Sequence, residues 1–530
     1  MNHIELFAGC GGLTLGLEAA GFELVMANEL SPMAGETFAY NFFGENLSAI
    51  ADGTEEIDGQ LRVKWLSSQF QLADMKSRMR ENPREFKPLG DGICDFKMTE
   101  ELNGSLVIGS IVELNKWLQS SPTGQDKIRD GFGRGGVDLV SGGPPCQSFS
   151  MAGLRQRSND RNSLPWEFAR FVEVVQPRVA MLENVTGILR AFTENGESFH
   201  AWFEVAKAFA EINYVPLCLH VNAKLAGVAQ NRPRFIMIAV RHDVFQSLQP
   251  TFDGVENDLF TPSYTFFRDL TKGKPTPYGS LPYFDVVNAS HFSLYEKSFL
   301  SPLVNYSDNL RSVRDAIDDL KKNKPVEPSQ YVEQINSVFS RHIQNDDMLN
   351  HELRQNGKHV QRRFRIYQIL QLLDKPIQKE VRKFLKGDID TLSTDYAIKL
   401  LENDYLTEDD SFKFFESQQE LECYLRQHQT KKQTQKALNA DSPAPAALSI
   451  PDDACHYDHG ELRTLSVREM ARIQSFPDGF ALRSKVTTGG QMRKFEVPQY
   501  TQVGNAVPPL LGRALGLVVS GLLGRLDADN

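Results

Sequence analysis

A series of short apolar runs, each cut off by a glycine cluster or a polar turn, constrains the fold of this chain more than any other feature. Ile4 to Phe7 runs into Gly9-Cys10-Gly11-Gly12, Leu24 to Ala27 into Asn28-Glu29, and Leu106 to Ile108 into Gly109. Val137 to Val140 precedes Gly142-Gly143-Pro144-Pro145, and Val179 to Leu182 precedes Glu183-Asn184. Between the first two runs, Leu13, Leu17 and Ala20 recur at helical spacing and stop at Gly21, which reads as a β-α-β unit. Strands that end this way predict an open, mostly parallel α/β sheet with its site along the strand ends. Tyr214 to Val221 and Phe235 to Val240 are close enough in sequence to pair as an antiparallel hairpin around Gln230-Asn231-Arg232-Pro233-Arg234.

Composition narrows the class. Apolar residues make up 41% and charged residues 24%, the proportions of an ordinary globular chain. A net charge of −10 excludes a uniformly basic coat for nucleic acid, so any such contact has to be local. The six cysteines show no C-x-x-C spacing, which argues against a zinc ribbon or a disulfide framework, and no metal is expected. The N-terminus lacks a basic segment followed by a long apolar stretch, and the apolar run near Leu515 to Leu523 is expected to be too short to cross a bilayer. A cytoplasmic protein without a membrane partner is therefore expected.

Residues 51–100 are polar and weakly periodic and read as an insertion in a first domain spanning 1–241. From 242 to 460 the pattern shifts to mixed loops and charged helices, ending in a polar linker, and reads as a second domain; 461–530 return to apolar, glycine-rich sequence that rejoins the first.

The glycine turn after the first strand can bring backbone against a nucleotide-like ligand, and Glu29 can accept from ribose hydroxyls. A turn required only for helix-strand packing accounts for the same glycines. Cys146 follows a turn stiffened by two prolines, where an exposed sulfur can act as a nucleophile; filling a tight turn is the commoner fate of a lone cysteine. Glu183 can hand a proton to a ring nitrogen or simply be a surface charge. Arg232 and Arg234 share one side of an extended segment, where they can clamp a phosphate or a carbonyl, or mark a solvated hairpin tip.

Taken together, Phe7-Ala8-Gly9-Cys10-Gly11-Gly12, Asn28-Glu29, Pro144-Pro145-Cys146-Gln147, Glu183-Asn184-Val185 and Gln230-Asn231-Arg232-Pro233-Arg234 fall in an ordered series. The series continues with Arg468-Glu469-Met470-Ala471-Arg472-Ile473-Gln474-Ser475-Phe476-Pro477 and Gln502-Val503-Gly504-Asn505-Ala506-Val507-Pro508-Pro509. In order and spacing it resembles the DNA (cytosine-5)-methyltransferases. The resemblance covers about 300 residues at the two ends of the chain and implies a Rossmann-like, S-adenosyl-L-methionine-dependent methyltransferase sheet with a smaller target-recognition domain. It places Phe7 against adenine, the backbone of Ala8, Gly9, Gly11, Gly12 and Leu13 around the methionine portion, and Glu29 on the ribose. It also places Leu30, Ser110, Ile111, Pro144, Asn505 and Val507 around the cofactor. Ser110 stands where the family usually has an aspartate, and Leu30 where some relatives have an aromatic residue.

By the same resemblance, Cys146 adds to carbon 6 of a cytosine flipped out of double-stranded DNA, and Glu183 holds or protonates ring N3. Arg232 polarises the 2-oxo group, and Arg234 positions the catalytic loop or backbone. Gln147, Ser148, Ser150, Arg155, Arg157, Arg161 and Gln230 are expected at the DNA. The basic runs Arg354 to Arg365 and Lys375 to Lys386 face DNA or solvent, and Lys485 to Val497 is expected at the domain junction. The Arg468 to Phe476 helix is expected to organise the second domain. The implied role is bacterial DNA modification at the nucleoid, with a cognate restriction endonuclease or defence-system protein as partner. A tRNA cytosine-5 methyltransferase of the same fold and a catalytically silent DNA-binding regulator are the alternatives.

Overall fold

The computed structural model describes the chain apart from residues 57–59, 146–163, 195–196, 324–325, 344–346, 431–434, 447 and 528–530. Its centre is a nine-stranded sheet. In chain order the first strands are β1 (Asn2–Leu6), β2 (Glu23–Glu29), β3 (Val63–Trp65), β4 (Ser105–Ile108), β5 (Leu139–Gly142) and β6 (Val179–Val185). The remaining strands are Tyr214–Asn222, Pro233–Arg241 and the short edge strand Phe284–Asp285. Across the sheet the order is Phe284–Asp285, Tyr214–Asn222, Pro233–Arg241, β6, β5, β1, β2, β4, β3.

All neighbours pair in parallel except Pro233–Arg241, which runs antiparallel to both of its partners. The expected hairpin is therefore present, with Met237 opposite Cys218. The apolar runs form strands because each is buried from both faces, and the polar residues that end them reach one common carboxyl edge. The reversal of Pro233–Arg241 brings the start of that strand, with Arg232 and Arg234, to the same edge.

The principal core runs from β1 to the C-terminus and also takes in Val244, Phe267, Val313 and Phe339. A second core is built by Phe364, Tyr367, Leu370, Val381, Phe384, Tyr405, Leu421 and Leu425. The change of composition expected to mark a boundary at residue 242 alters the surface, and the change of core comes about a hundred residues later. The 51–100 segment is partly built into the sheet, since β3 forms its far edge and Trp65, Met75 and Met79 pack with Leu106 and Ile108.

The C-terminal helix Pro509–Asp527 lies across Gly12–Ala19, the helix after β1. The apolar run expected to be short belongs to this 19-residue helix, which is long and apolar enough by composition to cross a membrane. Here it is a core helix. Its backbone approaches so closely that a Cβ placed at Gly16 would sit 2.5 Å from Arg513 N and from Pro509 O. Gly16→Ala should accordingly destabilise the protein by about 2–3 kcal/mol, as overpacking does. Gly53→Ala, where a Cβ meets nothing within 4 Å but φ is +69°, should cost about 1 kcal/mol. Urea unfolding of the two variants tests this ordering.

Candidate active site at the carboxyl edge

Beyond β1 the backbone turns sharply, with Phe7, Gly9 and Gly11 at φ values of 56°, 57° and 93°. A left-handed phenylalanine costs roughly 1 kcal/mol, a strain characteristic of functional turns. The turn's glycines serve different ends. A Cβ at Gly11 would strike the Phe42 ring, and one at Gly12 would strike the carbonyl oxygen of Val507, so packing dictates both. Gly9 has open space where a side chain would be, leaving room for a ligand. Ala8 and Leu13 are buried beside it, and Ala8 N–H donates to Asn28 O at 3.0 Å.

Glu29 ends β2 and accepts from two backbone groups, Gly9 N–H at 2.8 Å through Oε2 and Ser31 N–H at 2.7 Å through Oε1. Burial pushes its carboxyl up from the ordinary carboxylate range. Each oxygen keeps lone pairs for a further donor. The amide of Asn28, a residue whose role the sequence does not disclose, donates to Val107 O at 2.9 Å and Gly109 O at 3.1 Å and so locks the ends of β2 and β4 together. Ser110 caps the helix Ile111–Gln119 by accepting from Val112 N–H at 3.2 Å. Ile111 is buried in the main core, and Leu30 is exposed.

On the far side of β1, the carbonyl of buried Pro144 accepts from Asn184 Nδ2 at 3.0 Å. A Cβ at Gly143 would come within 2.8 Å of Glu183 Oε2, so this carboxylate lies directly against the loop leading to Cys146. Arg234 Nε stands 2.6 Å from Glu183 Oε1, with both side chains nearly buried. The register explains the pair: Arg234 lies opposite Val185 and Ile236 opposite Glu183, which makes Arg234 and Glu183 diagonal neighbours on one face.

Two expectations change. Arg232, expected at a base carbonyl, instead donates through Nη2 to Gly504 O at 2.8 Å and Ala506 O at 2.9 Å. Complete burial, with Arg234 nearby, draws its pKa well down. Arg234 is the guanidinium beside the acid. Gln230, expected against DNA, is fully buried, and its Nε2 donates to Pro445 O at 3.1 Å where Gln230–Asn231 pairs with Ala444–Pro445. The turn held by Arg232 carries Asn505, exposed at the end of the helix Gln499–Asn505, and Val507, half-buried against Gly12. Gln502, another residue with an undisclosed role, ties this helix to the helix Pro32–Phe38 and to the preceding loop by donating to Met33 O, Arg483 O and Val497 O.

Cys146, Gln147, Ser148, Ser150, Arg155, Arg157 and Arg161 lie outside the described residues. The basic run from Arg354 also changes meaning. Lys358 pairs with Asp410 at 2.9 Å, Arg362 lies 3.8 Å from Glu408, and buried Arg365 pairs with Asp404, so an acidic hairpin neutralises that face. On the next helix, Lys375–Lys386, the residues Lys375, Lys379, Lys383 and Lys386 are exposed, while the carboxylate of Glu380 is taken by Ser393. A cleft of about 1000 Å³ at the opposite edge, between Asn2, Asp138, Arg178, Tyr214 and Arg241, holds guanidiniums already paired with Asp138 and Asp243. It is remote from the strand ends described above.

An α/β sheet with an open glycine turn, a carboxylate at the end of the next strand and a nearly buried Glu-Arg pair beside a proline turn is a layout suited to a group-transfer enzyme with a nucleoside-type cofactor. The family description "C-5 cytosine-specific DNA methylase" matches residues 1–66 and 119–520, and the chain belongs to that family of DNA cytosine-5 methyltransferases. It is 25% identical over 527 residues to the type II methyltransferase M.DdeI of Desulfomicrobium norvegicum, covering 98% of this chain and 88% of the relative. To the type II methyltransferase M1.HphI of Haemophilus parahaemolyticus it is 24% identical over 522 residues, covering 98% and 86%. The solved S. pombe Dnmt2 methyltransferase matches with a TM-score of 0.38 and 13% identity over 99% of both chains.

Beneath the glycine turn, fully buried Glu5 accepts a hydrogen bond from Thr14 Oγ1, and burial pushes its carboxyl up to about 8. The folded protein therefore keeps a proton that the unfolded chain releases near pH 4, and stability falls as pH rises between these two values. Glu5→Gln should flatten this decline by roughly 1 kcal/mol per pH unit. Denaturation midpoints at about pH 5 and about pH 8 check it; parallel declines in the two proteins contradict it.

Proposed function

We propose that the chain methylates carbon 5 of a cytosine turned out of duplex DNA, with Cys146 as nucleophile. The observation that carries this reading is the convergence on one loop: Asn184 holds the carbonyl of Pro144, and the Arg234-paired carboxylate of Glu183 lies against Gly143. A base presented there meets an acid for N3 and a guanidinium for the 2-oxo group, with the cysteine next in sequence after Pro145. The thiolate adds to carbon 6 and electron density moves to carbon 5. After methyl transfer, loss of the carbon 5 proton expels the thiolate and restores the ring. Arg234 takes the electrostatic role, and Arg232 fixes the turn that carries Asn505 and Val507.

S-adenosyl-L-methionine, when bound, supplies the methyl group. The open space at Gly9, the remaining lone pairs of Glu29 and the half-exposed Phe7 and Ser110 fit its holding. Residues 360–455 serve target recognition in this reading, with the Lys375–Lys386 face toward phosphates. The biological setting is modification of host DNA alongside a cognate endonuclease.

Expression in a host lacking cytosine methylation, followed by base-resolution mapping, should reveal modified cytosines within one shared sequence. Methyl transfer to tRNA but not to duplex DNA by the purified protein contradicts the reading. Arg234→Ala should lower the single-turnover rate by about 10²–10³, as loss of a transition-state donor does. A change of less than about threefold removes Arg234 from the chemistry.

A further inference from the structure

The carboxyl edge carries cations that the methyl-transfer site does not use, contributed by two segments far apart in sequence. The first leaves β3 at its carboxyl end. It is fastened there by the Ser68–Ile93 bridge and by Leu89 N–H donating to Glu113, in the first turn of the helix that follows β4. Residues 67–118 fall outside the family match, so most of this segment is particular to the chain. The second is Lys485–Val497. Both its ends are anchored beside the helix Pro32–Phe38 that follows β2: Gln499 N–H donates to Lys485 O, and Gln502 Nε2 donates to Val497 O and Met33 O. The two segments meet where Arg84 Nη2 donates to Lys494 O at 3.2 Å.

Three acids of this assembly are turned inward or occupied. Glu81 accepts from Ser68 and Gln69, Asp95 pairs with buried Arg78, and Glu496 is held by Lys485 and Thr488. Asp74, which caps Ser77 N–H, Glu85, which accepts from Asn82, and Asp91 are exposed carboxylates of the same segment, fewer than the five exposed cations named next. Arg80, Arg84, Lys87, Arg493 and Lys494 are all exposed, and none has an ion pair within 4 Å among the described residues. On a chain of net charge −10, a two-segment ridge of free cations is a local inversion of sign. β4 and β3 lie three and four strands from β5, so the ridge stands roughly 15–20 Å from the Pro144–Pro145 turn by strand spacing. That offset is comparable to the width of a duplex.

We propose that Arg80, Arg84, Lys87, Arg493 and Lys494 form a docking surface for DNA backbone phosphates flanking the target, independent of base sequence and separate from the second core. The inference rests on the reading that duplex DNA is the substrate. Guanidiniums and ammoniums with no base-reading partner suit phosphate oxygens, and each phosphate neutralised adds about 0.9 to the salt slope of binding.

The test is a salt series of anisotropy titrations with a labelled duplex, comparing the full-length protein with an R80Q/K87Q/R493Q/K494Q variant that keeps the Arg84 tie. The slope of log affinity against log salt should be shallower by about 2–3.6, with affinity at low salt reduced at least about tenfold. Lys272→Glu, an exposed cation outside the ridge, should leave the slope as it is. If the quadruple variant melts early, K87E/K494E supplies the same reading, since neither side chain makes a described bond. Equal slopes in ridge variants and wild type overturn the inference while leaving the proposed function standing. So does a variant that loses binding to phosphatidylcholine–phosphatidylserine vesicles but keeps its slope on DNA. A wild-type protein that methylates no duplex brings down the proposed function itself.

Discussion

One reversed strand organises the reactive edge. Pro233–Arg241 is antiparallel to both neighbours, so its first residues lie where the other strands have their last. Only this reversal lets Arg234 lie diagonally across from Glu183 and lets Arg232 reach the carbonyls of Gly504 and Ala506. A parallel strand in that place would send both arginines to the opposite edge of the sheet. The C-terminal turn then closes the arrangement, held by Arg232 on one side and resting on Gly12 on the other.

The same contacts explain why a glycine-rich turn is an ambiguous signal. Gly11 and Gly12 are glycines because Phe42 and Val507 occupy the space a side chain would need, whereas Gly9 faces an opening and directs its N–H to Glu29. One six-residue motif thus combines two glycines fixed by packing with one that leaves open space. Glu29, fastened by two backbone donors, is rigid before any ligand arrives, which lowers the ordering cost of binding.

The parallel strands and their common edge were legible in the sequence because each apolar run ends abruptly, and a buried strand in an α/β sheet reads as such a run. The hairpin of Tyr214–Asn222 and Pro233–Arg241 was legible from proximity alone. The division of labour between Arg232 and Arg234 was not, since it depends on a turn about 270 residues downstream arriving beside one of them. Gln230 misleads for the same reason: its partner, Pro445, is remote in sequence. The basic run at Lys358 to Arg365 looked free because its counter-charges, Asp404, Glu408 and Asp410, come from a later hairpin. Each failure is a long-range contact that local pattern does not encode.

In the proposed reaction these features meet a single chemical demand: a sulfur at position 146 would have to reach a base whose ring nitrogen and carbonyl are held by Glu183 and Arg234. Incubation with a duplex carrying 5-fluorocytosine at the target, in the presence of S-adenosyl-L-methionine, tests this most directly. The fluorine cannot leave as a proton does, so the account predicts a stable protein–DNA adduct whose peptide maps to Cys146. An adduct at another residue, or undiminished methylation of ordinary DNA by a Cys146→Ala protein, would contradict it.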